Sequence, residues 1–496
     1  MSPSELFLLS PEISVALLGG VILLLDLAVK RKGYLAAAAL VGLLVPAGFS
    51  VGLLIRVGSE STGQLTGVFD TLFIDRFAIY FKFLILAATA LVIAASVDYR
   101  ARLGRFQGEY YGLILFSASG MMLLAAGAEL ITLFVALELA TLPLVALAAF
   151  LRDARSTESG LKFLVLSAVS SALLLYGMAF TFGVAGSTWL RDIGQVLSGA
   201  SQETGAPFGS YALMLGIALM VAGFGFKIAS VPFQMWVPDV YEGSPTPVTA
   251  YLSVASKAAG FAVLLRVFYV ALGSADLRVE WGTLFAVLSV LSMSVGNLVA
   301  IAQSNIKRML AYSTVAHAGY LLVGVAAVAR AGPSDSLGPS GVLFYLATYT
   351  LTNLTAFFVI IAIVNKTGSE VIEDFAGMGR RAPWLALALA ISMVSLIGVP
   401  PTGGFIGKVY IFSAAVRHDL AWLALAGVIN SVVSVYYYMR VVRALYVLPS
   451  ASQERVPSSL PLRWALGITA IGTVFLGLLP THLLRFAQEA ARILTS

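Results

Sequence analysis

Lys227 in GFGFKIASVPFQMW and Lys408 in LIGVPPTGGFIGKVYIF each place a primary amine inside an apolar run, beside a proline break. Desolvation favours the neutral amine and an approaching carboxylate favours the ammonium, so a lysine in such a place can take up and release a proton as its neighbours change. Three further ionisable side chains lie near the middle of apolar stretches: Glu138 in LITLFVALELATLPLVAL, Lys257 in VTAYLSVASKAAGFAVLL and His317 in MLAYSTVAHAGYLLVG. A central charged residue costs about 2.5 to 3.5 kcal/mol to insert, so five unpaired sites would cost on the order of 10 kcal/mol. That pattern fits a chain that moves a proton or cation. Lys162 is a sixth candidate, able to pair with Glu138.

Plainer readings stand beside these. A Glu138–lysine pair can merely fix helix register, Lys162 can snorkel from a helix start, and His317 can be a neutral imidazole bonded to a backbone carbonyl. Asp26, Lys82, Glu129 and Arg266 fall near expected span ends and are expected at the interface. Asp239 and Glu242 lie in VPFQMWVPDVYEGSPTPVTA as solvated loop carboxylates or as part of a re-entrant cap. Pro232 cannot bond the carbonyl of Ile228, and Pro400 and Pro401 free those of Leu396 and Ile397. Such groups survive at membrane depth only when buried in protein or hydrated, so both breaks are expected to be wet. Gly403 and Gly404 belong to the second break.

The elements that must position these residues are membrane helices. The 496 residues are 59% hydrophobic and 11% charged, with a mean hydropathy of +0.92, outside the soluble range. Apolar runs of about 20 residues recur at 9–29, 34–55, 76–97, 111–128, 129–150, 161–186, 209–231, 245–272, 281–303, 308–330, 340–366, 383–416, 419–447 and 461–485. The first lacks a signal-peptide pattern and is expected to be retained. Odd-numbered loops carry clustered cations (Lys30, Arg31 and Lys32; Arg100, Arg102 and Arg105; Arg152 and Arg155; Lys307 and Arg308; Arg380 and Arg381; Arg443, Arg455 and Arg463), whereas even-numbered loops carry mostly single ones (Arg56, Arg191, Arg278, Arg330, Arg417). Odd loops are therefore expected in the cytoplasm and both termini on the opposite side, and this accounts for the net charge of +6 without nucleic acid. With no cysteine and three histidines, thiolate-held iron–sulfur clusters are excluded and haem or zinc sites are disfavoured. No Walker A or G-x-G-x-x-G pattern supports nucleotide binding.

Spans four to eight and nine to thirteen form blocks of similar length, each with a lysine beside Pro or Gly at its fourth member. Five helices is an odd number, so the second block must run inverted. The expected organisation is a three-helix segment (1–110), repeat one (111–272), repeat two (281–447) and a C-terminal helix (461–496).

The motifs LELATLP around Glu138, LKFLVLSAVSSALLLYG from Leu161, FKIASVPFQMWVPDVYEGSPTPVTA from Phe226, GNLVAIAQSNIKRMLAYSTVAHAGY from Gly296 and GVPPTGGFIGKVYIF from Gly398 together resemble the antiporter-like subunits of proton-pumping NADH-quinone oxidoreductase, respiratory complex I. The wording is similar to the N type. The M type usually has glutamate at the position of Lys408, and the L type is longer, with a lateral helical arm. Gln234 stands where the N type usually has His, which puts a protonic role there in doubt, and Val145 where Tyr is common.

The resemblance implies an all-α polytopic fold of about fourteen helices, two inverted five-helix repeats, discontinuous helices seven and twelve, and a mid-membrane row of charges. Glu138 would pair with Lys162 or Lys227, Lys227 and Lys257 would continue the relay, His317 would bridge the repeats, and Lys408 would be the terminal site. Lys307 matches the family's motif or is a loop cation. The implied function is proton translocation by a non-redox subunit with no turnover of its own. It implies NADH, FMN, iron–sulfur clusters and quinone on other subunits, membrane partners that include a second antiporter-like subunit, and a bacterial plasma membrane. An Mrp-type cation/proton antiporter subunit, or a subunit of a hydrogenase or ferredoxin-driven complex, is the alternative.

Overall fold

A backbone in hydrocarbon must satisfy its own N–H and C=O groups, and a chain this apolar does so by forming helices. The computed structural model describes residues 3–30, 32–60, 63–199, 211–328, 335–449 and 454–494; Arg31 and Arg330 of the loop-cation pattern, and the expected start of span seven at 209, lie outside the described residues. In chain order the main helices are α1 (Ser10–Ala28), α2 (Gly33–Ser59), α3 (Arg76–Ser96), α4 (Gln107–Ala126), α5 (Leu130–Ala148), α6 (Ala154–Ala185) and α7 (Leu190–Gly199). They continue with α8 (Tyr211–Ile228), α9 (Trp236–Gly243), α10 (Thr246–Ala271), α11 (Ala275–Ile301), α12 (Ile306–Val328) and α13 (Leu337–Thr367). The last are α14 (Pro383–Ile397), α15 (Gly403–Arg417), α16 (Ala421–Tyr446), α17 (Leu460–Leu478) and α18 (Thr481–Arg492). A short hairpin, β1 (Gln64–Gly67) with β2 (Leu72–Asp75), joins α2 to α3.

Thirteen helices among the described residues are long and apolar enough to cross a membrane, and α14 is a shorter apolar helix that ends at the second break. The last expected span, 461–485, does not continue to its end: α17 stops at Leu478, and Pro480 precedes the amphipathic α18.

Helices α10, α12 and α13 are the centre, each with 94% of its apolar window buried, against 28% for α1, α2 and α17. The central helices are polar as well as buried, which requires that their side chains partner one another. Two helix crossings are tightened by glycine: a Cβ on Gly120 of α4 would come within 2.5 Å of the Ala140 nitrogen of α5, and one on Gly296 of α11 within 2.6 Å of the Ala316 nitrogen of α12. Small residues of this kind let membrane helices pack backbone to backbone.

Three residues expected at the interface, Lys82, Arg266 and Glu129, are instead buried. Lys82 is fully buried on α3, 2.8 Å from Glu12 of α1. Arg266 of α10 is held by both oxygens of Asp75, at 2.5 and 3.1 Å, and by the Ala125 carbonyl at 3.0 Å. Glu129 is buried too, accepting from Thr132 and Thr188. Proximity to a span end misled because neighbouring helices cover those ends. Removing one member of a buried pair strands the other charge, at about 3 to 5 kcal/mol, whereas replacing both by apolar residues is often neutral. Glu12→Ala should therefore lower the thermal midpoint markedly, and the double variant Glu12→Leu/Lys82→Met should recover most of the loss. An equal loss in both would show that the pair is not what the side chains contribute.

Candidate functional site

Both helix breaks are built alike. At the end of α8, Ala229 turns into the left-handed region (φ 64°), its N–H bonding the Phe226 carbonyl at 3.1 Å while that of Ser230 reaches back to Gly225 at 2.9 Å. At the end of α14, Gly398 (φ 90°) bonds Ser395 at 3.0 Å and Val399 reaches back to Val394 at 3.2 Å. These are Schellman-type caps, which close a helix and are commonly followed by proline. A cis X-Pro bond follows in each, Val231–Pro232 and Pro400–Pro401.

The freed backbone is met by protein side chains. In the first break Trp236 donates to the Phe226 carbonyl at 3.0 Å, and the Val231 N–H donates to Ser292 at 2.9 Å. In the second, Lys408 itself donates to the carbonyls of Leu396 (3.1 Å) and Ile397 (2.8 Å), the two that Pro400 and Pro401 leave without a partner. Gly398, which sequence reading did not single out, makes room for this: a Cβ there would lie 2.9 Å from Lys408 Cδ. Gly404 serves the same junction by close approach, since a Cβ would come within 2.1 Å of the Ser395 carbonyl, and one on Gly403 would lie 2.9 Å from Thr348 Cγ2.

The two lysines do not occupy corresponding positions. Lys227 stands five residues before Pro232, on the helix that ends at the break, whereas Lys408 stands seven residues after Pro401, on the helix that restarts. Lys227 is buried and donates to Thr141 of α5 at 2.7 Å. Glu138, one turn earlier on α5, is half-buried and accepts from Ser171 of α6. No ion pair joins Glu138 to Lys227. Beside Lys227 lies a cavity of about 10 Å³ whose wall combines the hydroxyls of Thr141, Ser167, Ser170 and Ser171 with the apolar Leu137, Leu174 and Phe226; Glu138 is not part of it.

Lys162 does not pair with Glu138. It is 43% exposed and bound to Glu158 and Asp239, at 2.8 Å each. It belongs to an ionic cluster near the start of α6, with α9 at its centre. Arg308 bridges Asp239 and Glu242 at 2.8 Å, Arg155 bridges Glu242 (3.3 Å) and Glu370 (2.6 Å), and Lys307 reaches Glu370 at 3.1 Å. Asp239 and Glu242 are thus clamps on the short helix after the first break and not solvated loop carboxylates. Lys307 is buried, not a loop cation, and also holds the Glu242 and Ser244 carbonyls at 2.9 and 2.8 Å.

One face of α12 links the remaining candidates. Thr314, His317 and Tyr320 are spaced three residues apart and so share a side of the helix. Lys257 follows directly on a π-helical turn over 252–256 of α10, a distortion often found at functional sites. It donates to the Thr314 carbonyl and lies 5.7 Å from the centre of the Tyr349 ring. Thr314 bonds the Tyr349 hydroxyl at 2.9 Å. Gly260, one turn along α10, carries no side chain where the Lys227 stem passes at 3.2 Å from the would-be Cβ.

His317 is held through both ring nitrogens, Nδ1 by the Tyr345 hydroxyl at 2.6 Å and Nε2 by that of Tyr438 at 3.1 Å. Neither nitrogen bonds a backbone carbonyl. Tyr320 receives from Asn297 at 3.1 Å, Asn297 receives from Tyr437 at 2.9 Å, and the Lys408 ammonium sits 4.4 Å from the Tyr320 ring centre. These tyrosines were missed because a buried aromatic residue in an apolar run looks like packing. Their one visible signal was position, Tyr320 falling three residues after His317.

The buried amines Lys227, Lys257 and Lys408 and the His317 imidazole with its two hydroxyl neighbours all lie in the stretch from α8 to α15. The transmembrane family model of the NADH:quinone oxidoreductase/Mrp antiporter proteins matches residues 127–434, a region that includes both breaks and every member of the row. The chain belongs to the NADH:quinone oxidoreductase/Mrp antiporter transmembrane family. It is 44% identical to NADH-quinone oxidoreductase subunit N of Trichlorobacter lovleyi over 99% of this chain and 98% of that protein. A chain of respiratory complex I from Thermus thermophilus matches with 32% identity and a TM-score of 0.78, over 96% of this chain and 98% of that one. A chain of the Mrp complex from Dietzia sp. has a TM-score of 0.83 over 99% and 97% of the two chains, but at 19% identity it shows the fold alone.

Within this antiporter family member, the ionic cluster generates a pH prediction. Burial opposes ionisation of Asp239, but hydrogen bonds from Lys162 and Arg308 outweigh it and hold the carboxyl below its usual range. Burial likewise opposes ionisation of Glu370, and Lys307, Asn305 and Arg155 together outweigh it. Groups with depressed folded-state pKa values stabilise above the ordinary carboxylate range and lose that contribution as pH falls through it. The variant Asp239→Asn/Glu370→Gln should be less stable than the parent at neutral pH, with the gap closing below about pH 4. A gap in thermal midpoint that does not change with pH would remove the clamp.

Proposed function

We propose that the chain is the N-type proton-translocating subunit of an NADH-quinone oxidoreductase in a bacterial plasma membrane, performing no redox step itself. Odd-numbered loops face the cytoplasm, and NADH, FMN, iron–sulfur clusters and quinone belong to neighbouring subunits. The observation that carries this reading is the buried row from Glu138 through Lys227, Lys257 and His317 to Lys408, which spans both helix breaks and has hydroxyl groups between its charged members.

The division into a three-helix segment, two inverted five-helix repeats and a C-terminal helix is supported by matched pairs of features. The residue before α5, Glu129, forms an isolated antiparallel bridge with Trp189 in the segment after α6, and the residue before α12, Asn305, forms one with Val371 in the segment after α13. The loops before α5 and before α12 are even- and odd-numbered, so the two bridges fall on opposite membrane faces. The Gly120 and Gly296 crossings match in the same way.

In this mechanism a change at the half-buried Glu138, on a helix whose Val135 and Leu142 are exposed to a neighbour or to lipid, alters the field at Lys227, which bonds Thr141 one turn further along the same helix. Lys227 and Lys257 exchange a proton between adjacent helices. His317 takes it at one ring nitrogen and releases it at the other, the two tyrosine hydroxyls standing at the two positions. Lys408 is the last site, its ammonium stabilised by two helix-end carbonyls. Moving one charge against 100 mV costs about 2.3 kcal/mol, within what re-pairing of buried charges can supply. Protonation belongs to the row as a coupled set.

Lys227→Ala and Lys408→Ala in the assembled complex should each reduce proton translocation in vesicles several-fold with assembly intact. Pumping at the parent level in both variants would sink the relay.

A further inference from the structure

On the face opposite the ionic cluster, a pocket of about 470 Å³ opens between β2, α7, the end of α10 and the start of α11. Among the described residues three arginines line it, Arg191, Arg266 and Arg278, against a single carboxylate, Asp75. Asp75 has nothing left to offer, because its oxygens are committed to the two Arg266 nitrogens and to the Ala78 N–H at 2.7 Å. Arg191 donates to Gln64 and stacks on Phe73. The Arg278 backbone N–H bonds the Ser274 carbonyl at 3.0 Å, but its guanidinium makes no hydrogen bond or ion pair among the described residues. The lining therefore carries two positive charges in excess.

Its buried polar atoms are also unmatched. Arg266 Nε, the Tyr269 hydroxyl and Ser274 Oγ have no hydrogen-bond partner, although each residue is more than nine-tenths buried. All three can donate. Ser274 occupies the N-cap position of the 27-residue α11, yet its side chain does not cap, so its buried hydroxyl and the positive end of the helix both lie in the pocket wall without a partner for that hydroxyl. Buried donors without acceptors are costly, and positive potential repels protons, so this pocket is no continuation of the relay. Its complement is an oxyanion.

We propose that the pocket binds a phosphate group, with Arg278, Arg266 Nε, Tyr269 and Ser274 as donors. The chemistry is shared by the phosphate ester of an anionic lipid headgroup and by free inorganic phosphate. The pocket lies at the end of membrane-spanning helices, with Val270 and Leu494 in its wall, which favours the lipid.

The test uses the purified assembly containing this chain, in nanodiscs of phosphatidylcholine. Phosphatidylglycerol is titrated in one arm and inorganic phosphate in the other, with bound ligand counted by native mass spectrometry and phosphorus NMR. The parent should retain one more phosphatidylglycerol than Arg278→Gln, whose affinity should fall about tenfold, the loss of one charge-assisted hydrogen bond. Arg278→Lys should keep most of the binding, which separates recognition from misfolding. A response that depends on Arg278 in the inorganic phosphate arm alone would support the pocket and assign it to soluble phosphate. Equal binding by parent and Arg278→Gln in both arms would overturn the proposal, as when a neighbouring subunit's acidic loop fills the site. Because the readout is binding, this result stands apart from the pumping experiment.

Discussion

A helix interrupted inside a membrane leaves carbonyl groups that neither lipid nor the helix can satisfy, and this constraint organises the molecule. At the second break the answer is Lys408, whose ammonium bonds the very carbonyls that two prolines release. The amine is thereby held at a fixed place in the membrane interior by neutral acceptors and not by a carboxylate. A cation without a counter-ion is sensitive to every other charge nearby, a property that a charge-moving site requires.

The first break solves the same problem differently. Trp236 and Ser292 meet the backbone, so Lys227 is free to face Thr141 and, beyond it, Glu138. Two breaks with one backbone design thus hold their lysines on opposite sides of the interruption. The polar centre follows from the same pressure: α10, α12 and α13 are almost wholly buried, and most of their polar side chains bond one another, as His317 does Tyr345 and Thr314 does Tyr349, or bond a backbone carbonyl.

The charged residues sort into two populations. Lys82 with Glu12, Arg266 with Asp75 and the cluster around α9 are paired, and they pin helices. The cluster in particular ties the short helix after the first break to α6, to the start of α12 and to the loop after α13. Lys227, Lys257, His317 and Lys408 have hydroxyl or carbonyl partners only. Separation of structural pairs from the unpaired row was invisible in the sequence, because Lys162 and Lys227 are equally lysines in apolar surroundings, and only one of them turned out to lie at the surface among carboxylates.

The sequence by itself determined that the chain is a polytopic helical membrane protein, roughly where each helix runs, where two of them break, and which ionisable residues fall inside apolar runs. Those properties follow from local quantities: run length, proline chemistry and the insertion cost of a charge. Tertiary structure alone decided that Lys162 joins Asp239, that Lys307 is buried, that Gly398 accommodates Lys408, and that tyrosines from α13 and α16 bracket His317. Each depends on which helices become neighbours, and side chains hundreds of residues apart meet through packing that no local pattern encodes.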